Sequence, residues 1–252
     1  YADSTKGWIP TSDITNALDH LPPPTQRAAF AYGQTGDGNV SMKNLVNSAG
    51  VVAADVTGVG TARRMISGAT YGTDKGIFAY GYVSGNVNMS NLMNNSGVIA
   101  ADVTGVGTAR RGTGSTGYGA DKAIYAFGLA GANTNLSNLV SNVGVVASDT
   151  SGVGTARAEL VGVRYGGDKA IMSFGTTGST KTNLISNLGV VGSDVTQVGT
   201  ARTAPGAATY GTGTAAIAYG SGMSNLKNLI STAGVVSADV TGVGTARNSI
   251  GG

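Results

Sequence analysis

The sequence predicts an all-β fold of five repeated four-stranded antiparallel units, on three observations. The phrase Val-Gly-Thr-Ala-Arg recurs with its arginine at Arg63, Arg110, Arg157, Arg202 and Arg247, at spacings of 47, 47, 45 and 45 residues. Inside each unit apolar residues alternate or form short runs, and outside an N-terminal arm the 3.6-residue helical period is absent. Glycine is abundant, 42 of 252 residues against 5 prolines, and follows no Gly-X-Y period, so it marks turns and not a collagen helix.

The elements follow in chain order. Residues 1–24 are an arm outside the repeat, in which Ile14, Ala17, Leu18 and Leu21 fall on one helical face, Ser12 is placed to cap it and Pro22-Pro23-Pro24 ends it. Residues 25–252 hold the repeats. The first unit enters at its second strand, Ala28 to Gly33, and lacks the Tyr-Gly-x-Asp-Lys block that opens later units at Tyr71, Tyr118 and Tyr165 and, weakened, at Tyr210. In the second unit the strands read as 65–71, 76–80, 89–94 and 98–103. The turn Asn95-Ser96-Gly97 ends in glycine, which reaches positive φ without steric cost, so strands three and four form a hairpin.

Four short antiparallel strands in 45–47 residues fit a β-propeller blade; a solenoid coil takes roughly 20 to 30 residues and stacks parallel strands. Five copies imply a five-bladed propeller. The tail Asn248-Ser249-Ile250-Gly251-Gly252 stands where a next first strand would begin, so either it completes the first blade or the chain belongs to a longer array of six or seven blades. The start at Tyr1 and not Met fits a processed product or a segment of a longer chain.

Two further series share the arginine period: Asp55, Asp102, Asp149, Asp194 and Asp239, eight residues before each arginine, and an Asn-Leu pair at Asn44, Asn91, Asn138, Asn183 and Asn228. A guanidinium carries five donors, so an arginine needed by every unit is read as structural, bonding carbonyls of the tight connection and pairing a carboxylate. The Asp-Lys pairs at Asp74, Asp121 and Asp168 are read as turn residues.

Composition narrows the function. The repeat charges cancel, and the net charge of +3 comes from scattered residues without the basic stripe of a nucleic-acid binder. With no cysteine there is no disulfide framework or thiolate site. One histidine, one glutamate and no Gly-x-Ser-x-Gly leave little for catalysis, and equivalent aspartates lack the unlike environments a glycosidase needs. Asp37-Gly38-Asn39 reads as a loop, and no metal or cofactor is expected. No run of about 18 apolar residues is present for a membrane helix. The surface is rich in Ser, Thr, Asn and Gly, suited to hydroxyl-rich partners.

Variation is concentrated in the connection between strands two and three, 34–41, 82–90, 129–137, 176–182 and 221–224. On a fixed frame such loops carry binding. Tyr82, Asn86, Asn88, Asn133 and Asn135, in the two longest of them, are the candidate ligand-binding residues.

The order Val-Gly-Thr-Ala-Arg, strand, Tyr-Gly-x-Asp-Lys, Ala-Ile-Tyr-Ala-Phe-Gly, strand, hairpin resembles the Kelch repeat. It departs where Kelch has a second glycine and a tryptophan: Tyr80-Gly81 and Phe127-Gly128 keep one glycine, and Trp8 lies in the arm. Over 26–247 the repeat is more similar to the glycine-rich Kelch-like arrays among bacteriophage virion and tail-fibre proteins. That resemblance implies a non-enzymatic structural or host-recognition module of a virion, extracellular, binding cell-surface glycan or another virion protein, as a homo-oligomer or within a larger assembly. A secreted multivalent lectin and a glycan-active enzyme are the competing classes.

Overall fold

The computed structural model describes residues 2–3, 7–8, 28–177, 179–222 and 224–249. The helix expected over 12–21 lies outside them. In the arm, β1 (Ala2–Asp3) pairs with β2 (Gly7–Trp8).

Each repeat forms one small antiparallel sheet in which chain neighbours are sheet neighbours. Unit one has β3 (Ala28–Thr35) and β4 (Gly38–Val46). Unit two has β5 (Ser67–Tyr71), β6 (Lys75–Ala79) and β7 (Ser90–Met93), and unit three has β8 (Gly114–Tyr118), β9 (Lys122–Ala130) and β10 (Ala132–Val140). Unit four has β11 (Val161–Tyr165), β12 (Lys169–Ser173), β13 (Lys181–Ile185) and β14 (Val191–Thr196). Unit five has β15 (Gly206–Tyr210), β16 (Thr214–Ala218), β17 (Leu226–Ile230) and β18 (Val240–Thr241). The protein is all-β, and no helix occurs among the described residues.

The fourth strand is regular only in units four and five. In unit two it is two isolated bridges, Met93 with Ile99 and Ser90 with Val103, and units one and three repeat that pattern. Between the bridges the Asn91 carboxamide bonds the Ala100 carbonyl, so a side chain replaces part of the ladder. Downstream, the first glycine of Gly-Val-Gly sits against backbone: a Cβ on Gly105 would lie 2.1 Å from the Asn88 carbonyl oxygen. Unit four has Gln197 at that position, directly after β14, and its Oε1 accepts from Thr182 Oγ1 at 2.6 Å.

Among the described residues every core cluster spans two units. One buried cluster joins Tyr71, Ile77 and Tyr80 of unit two to Tyr125 and Val140 of unit three, and another joins Tyr118, Ile124 and Phe127 to Met172 and Ile185 of unit four. Apolar surface is thus buried by stacking each unit on the next, as in repeat proteins generally.

Among the described residues, no hydrogen bond, strand pairing or core cluster links the first sheet to the last. Of the tail expected to complete the first blade, residues 250–252 lie outside the described ones; in the described part the Arg247 carbonyl accepts from Gly220 N and Ser249 N donates to the Ala204 carbonyl.

Candidate functional site

The repeated arginine lies at the joint between units. Arg63 is fully buried. Its Nε donates to the Tyr80 carbonyl at 2.9 Å, one terminal nitrogen to the Thr61 carbonyl at 3.1 Å, and the other to Asn91 Oδ1 at 2.6 Å. The guanidinium lies 4.4 Å over the Tyr32 ring of unit one. Arg110 on Tyr80, Arg157 on Phe127 and Arg202 on Phe174 repeat the stacking at 4.2, 4.1 and 4.1 Å and bond Asn138, Asn183 and Asn228, though among the described residues the buried Arg202 Nε has no hydrogen-bond partner.

The carboxylate that completes each socket belongs to the following unit. Asp102 Oδ1 is 3.8 Å from Arg63 and accepts from Asn91 Nδ2 at 2.9 Å, while its Oδ2 accepts from Thr61 Oγ1 at 2.6 Å. Asp149, Asp194 and Asp239 do the same for Arg110, Arg157 and Arg202. The direct side-chain partner of each arginine is therefore asparagine, with aspartate orienting it. Arg63 and Asp55, eight residues apart in sequence, are not partners. Asp55 and Arg247 stand at opposite ends of the row and lack this pairing among the described residues.

Glycine is required in the socket itself. Gly107 has φ +83°, and a Cβ there would lie 2.3 Å from Asp149 Oδ1 and 2.7 Å from Asn138 Nδ2. The electrostatics follow burial. Loss of water pushes Arg157 down to about 10, opposed by the charge of Asp194. Burial acts to raise Asp102, but hydrogen bonds from Thr61 and Asn91 and the charge of Arg63 outweigh it and hold the carboxyl below its ordinary value.

A second series runs two residues after each arginine. Met65, Gly112, Glu159, Ala204 and Ser249 all have φ between 48° and 58°. Their backbones bond in succession, each N–H to the carbonyl of the preceding member. Only one of the five is glycine, so composition gave no sign of it; the fixed offset from the arginine was the available signal. A left-handed non-glycine residue costs roughly 1 kcal/mol or more, offset here by the inter-unit hydrogen bond. Also unremarked in the sequence reading, the equivalent Val51, Val98, Val145, Val190 and Val235 all face solvent.

The rim candidates divide. The Tyr82 ring is flanked by two guanidinium groups, Arg64 at 4.9 Å and Arg111 at 4.8 Å, with Asn86 paired beside it in the backbone. Asn86 accepts from Arg111 at 3.0 Å and donates to the Leu129 carbonyl at 2.9 Å. Asn88 donates to the Gly107 carbonyl, Asn135 to the Gly152 and Gly154 carbonyls, and Asn133 to Thr176 Oγ1. The amide donors expected to face a ligand are thus engaged inside the fold, and Asn133 and Asn135, expected in a loop over 129–137, lie in β10, because β9 and β10 continue as a hairpin through that connection. Among the described residues the Tyr82 hydroxyl makes no hydrogen bond, and neither Arg64 nor Arg111 has a carboxylate within 4.0 Å. Arg64 and Arg111 directly follow the structural arginines; as the basic pairs Arg63-Arg64 and Arg110-Arg111 they are too few for a nucleic-acid stripe, and the sequence tied neither to Tyr82.

No family model matches the chain, and no curated protein matches it.

Proposed function

We propose that this chain is a non-catalytic structural and recognition module whose units are five Kelch-like propeller blades, carried on the outside of a bacteriophage particle and binding host-surface glycan at the rim around Tyr82. The observation that carries the reading is the arginine socket repeated at four successive joints, which commits the buried charged groups to holding units together. A frame fastened this way tolerates loop variation at its edge. The viral setting rests on the resemblance of the repeats to phage arrays.

At the rim, Arg64, Tyr82 and Arg111 present guanidinium donors and a phenol, with no carboxylate within 4.0 Å of either guanidinium among the described residues, chemistry that suits sugar hydroxyls and acidic sugar groups. One such shallow site is weak, and many chains arrayed on a particle would bind a polymeric glycan by effective concentration. A glycan array probed with the chain tests the reading. Binding that falls at least tenfold in Tyr82→Ala and Arg64→Gln, with unchanged melting, supports it. Binding indifferent to both, or absent for neutral and acidic glycans alike, removes the rim as a glycan site.

A further inference from the structure

The two ends of the row are the two halves of the joint that closes four times within it. At the unit-five end, Arg247 lies 4.0 Å over the Tyr219 ring and donates to the Thr245 carbonyl, as its four equivalents do with their own aromatic and threonine. Those equivalents are at most 2% exposed, sealed by the asparagine and aspartate of a following unit, whereas Arg247 is exposed. Elsewhere on the same unit, Tyr210 is 47% exposed, against 2–4% for the equivalent Tyr71, Tyr118 and Tyr165, and it lines a groove of ≈350 Å³ with Leu229 and Val235.

In the interior that groove is filled. A Cβ on Gly144 of unit three would meet Leu92 and Tyr71 of unit two at 2.9 to 3.1 Å, and Gly189 and Gly234 sit in the same way on Tyr118 and Tyr165. At the unit-one end the filling element waits with open space beside it: the hairpin glycine Gly50 has φ +76° and nothing within 4 Å of its Cβ position. There too Asn44 Nδ2 donates to Asp55 Oδ1 at 2.8 Å, matching the 2.9 to 3.0 Å of the four closed sockets. The acceptor is already set, and among the described residues no arginine enters it.

We propose that the chain associates head to tail with a second copy of itself, the unit-five face of one copy seating on the unit-one face of the next. Arg247 enters the Asn44–Asp55 acceptor, and the Gly50 hairpin fills the groove over Tyr210 and Leu229. The charges are opposite, and the shapes are those of a joint the sequence builds four times. The interface is heterologous, so copies form a ring if the rotation closes and a filament if it does not.

The test is mass photometry and sedimentation of the full chain over a concentration series, with Arg247→Ala and Asp55→Ala alone and mixed. Both residues are exposed, so at concentrations where the parent is monomeric the thermal melts should lie within about 0.5 kcal/mol of it. The parent should assemble with concentration, and each variant should dissociate roughly a hundredfold more readily. Mixing them should restore a one-to-one dimer, because each variant keeps the half the other lost. A parent that is monomeric throughout, whether closed on itself or covered by its arm, overturns the proposal. So does assembly that neither substitution weakens, or a mixture that stays monomeric.

Discussion

Replacing Arg110 by alanine removes the fastening between units two and three. The side chain gives Nε to the Phe127 carbonyl at 2.8 Å and its terminal nitrogens to the Thr108 carbonyl at 3.1 Å and Asn138 Oδ1 at 2.5 Å, and it lies over Tyr80 at 4.2 Å. Its loss leaves these acceptors short of a donor, at about 1 to 3 kcal/mol for each one water cannot reach. The cation–π contact adds about 1 to 2 kcal/mol in so dry a setting. Water entering the vacated space recovers part of this, so the expected cost is about 3 to 5 kcal/mol, the range for breaking a buried charged pair from one side. Arg247→Ala is the internal control: the same residue type on the same kind of aromatic, but exposed, with an expected cost of about 0.5 kcal/mol at low concentration. Denaturant unfolding of both variants, with hydrogen exchange at 108–113 as a local readout, makes the comparison. Equal midpoints for the two variants would refute the claim that the socket, and not the arginine alone, stabilises the fold.

Acid should loosen the sockets. Asp102, Asp149, Asp194 and Asp239 are held below their ordinary values, so their stabilisation is complete above the unfolded carboxylate value of about 3.9 and is lost as pH falls through the lower folded values. The melting temperature should be level from neutral pH to about 5 and drop below about 4, less steeply in Asp102→Asn; a melt unchanged down to pH 3 contradicts this. Gly107→Ala should cost about 3 kcal/mol or more, since it combines a positive φ with a Cβ inside the socket, whereas Gly85→Ala, with nothing within 4 Å, should stay within about 0.5 kcal/mol. Matching unfolding curves for those two variants would show that the socket relaxes around a methyl group.

The repeat length, the all-β class, the hairpin glycines and the residues that build each socket were legible in the sequence, because strand alternation, turn glycines and recurrence are local properties that survive as spacing. The strand limits 65–71 and 76–80 fall close to Ser67–Tyr71 and Lys75–Ala79 for that reason. The partners were not legible. Arg63 meets Asn91 and Asp102 of the next unit and not Asp55, since that choice depends on how one sheet is set against another, and every unit offers the same candidates. The left-handed backbone at Met65 and Glu159 was hidden for a related cause: a contact between units offsets its strain, and nothing in the residue type signals that. The rim amides looked free because a sequence shows donors without their acceptors, and packing brings the Gly107 and Gly152 carbonyls to Asn88 and Asn135. The ends were decided the same way. Five equal repeats suggest a closed ring, but closure depends on the rotation between neighbouring sheets, which is set by the volumes packed at each joint and has no imprint in a period of 45 to 47 residues.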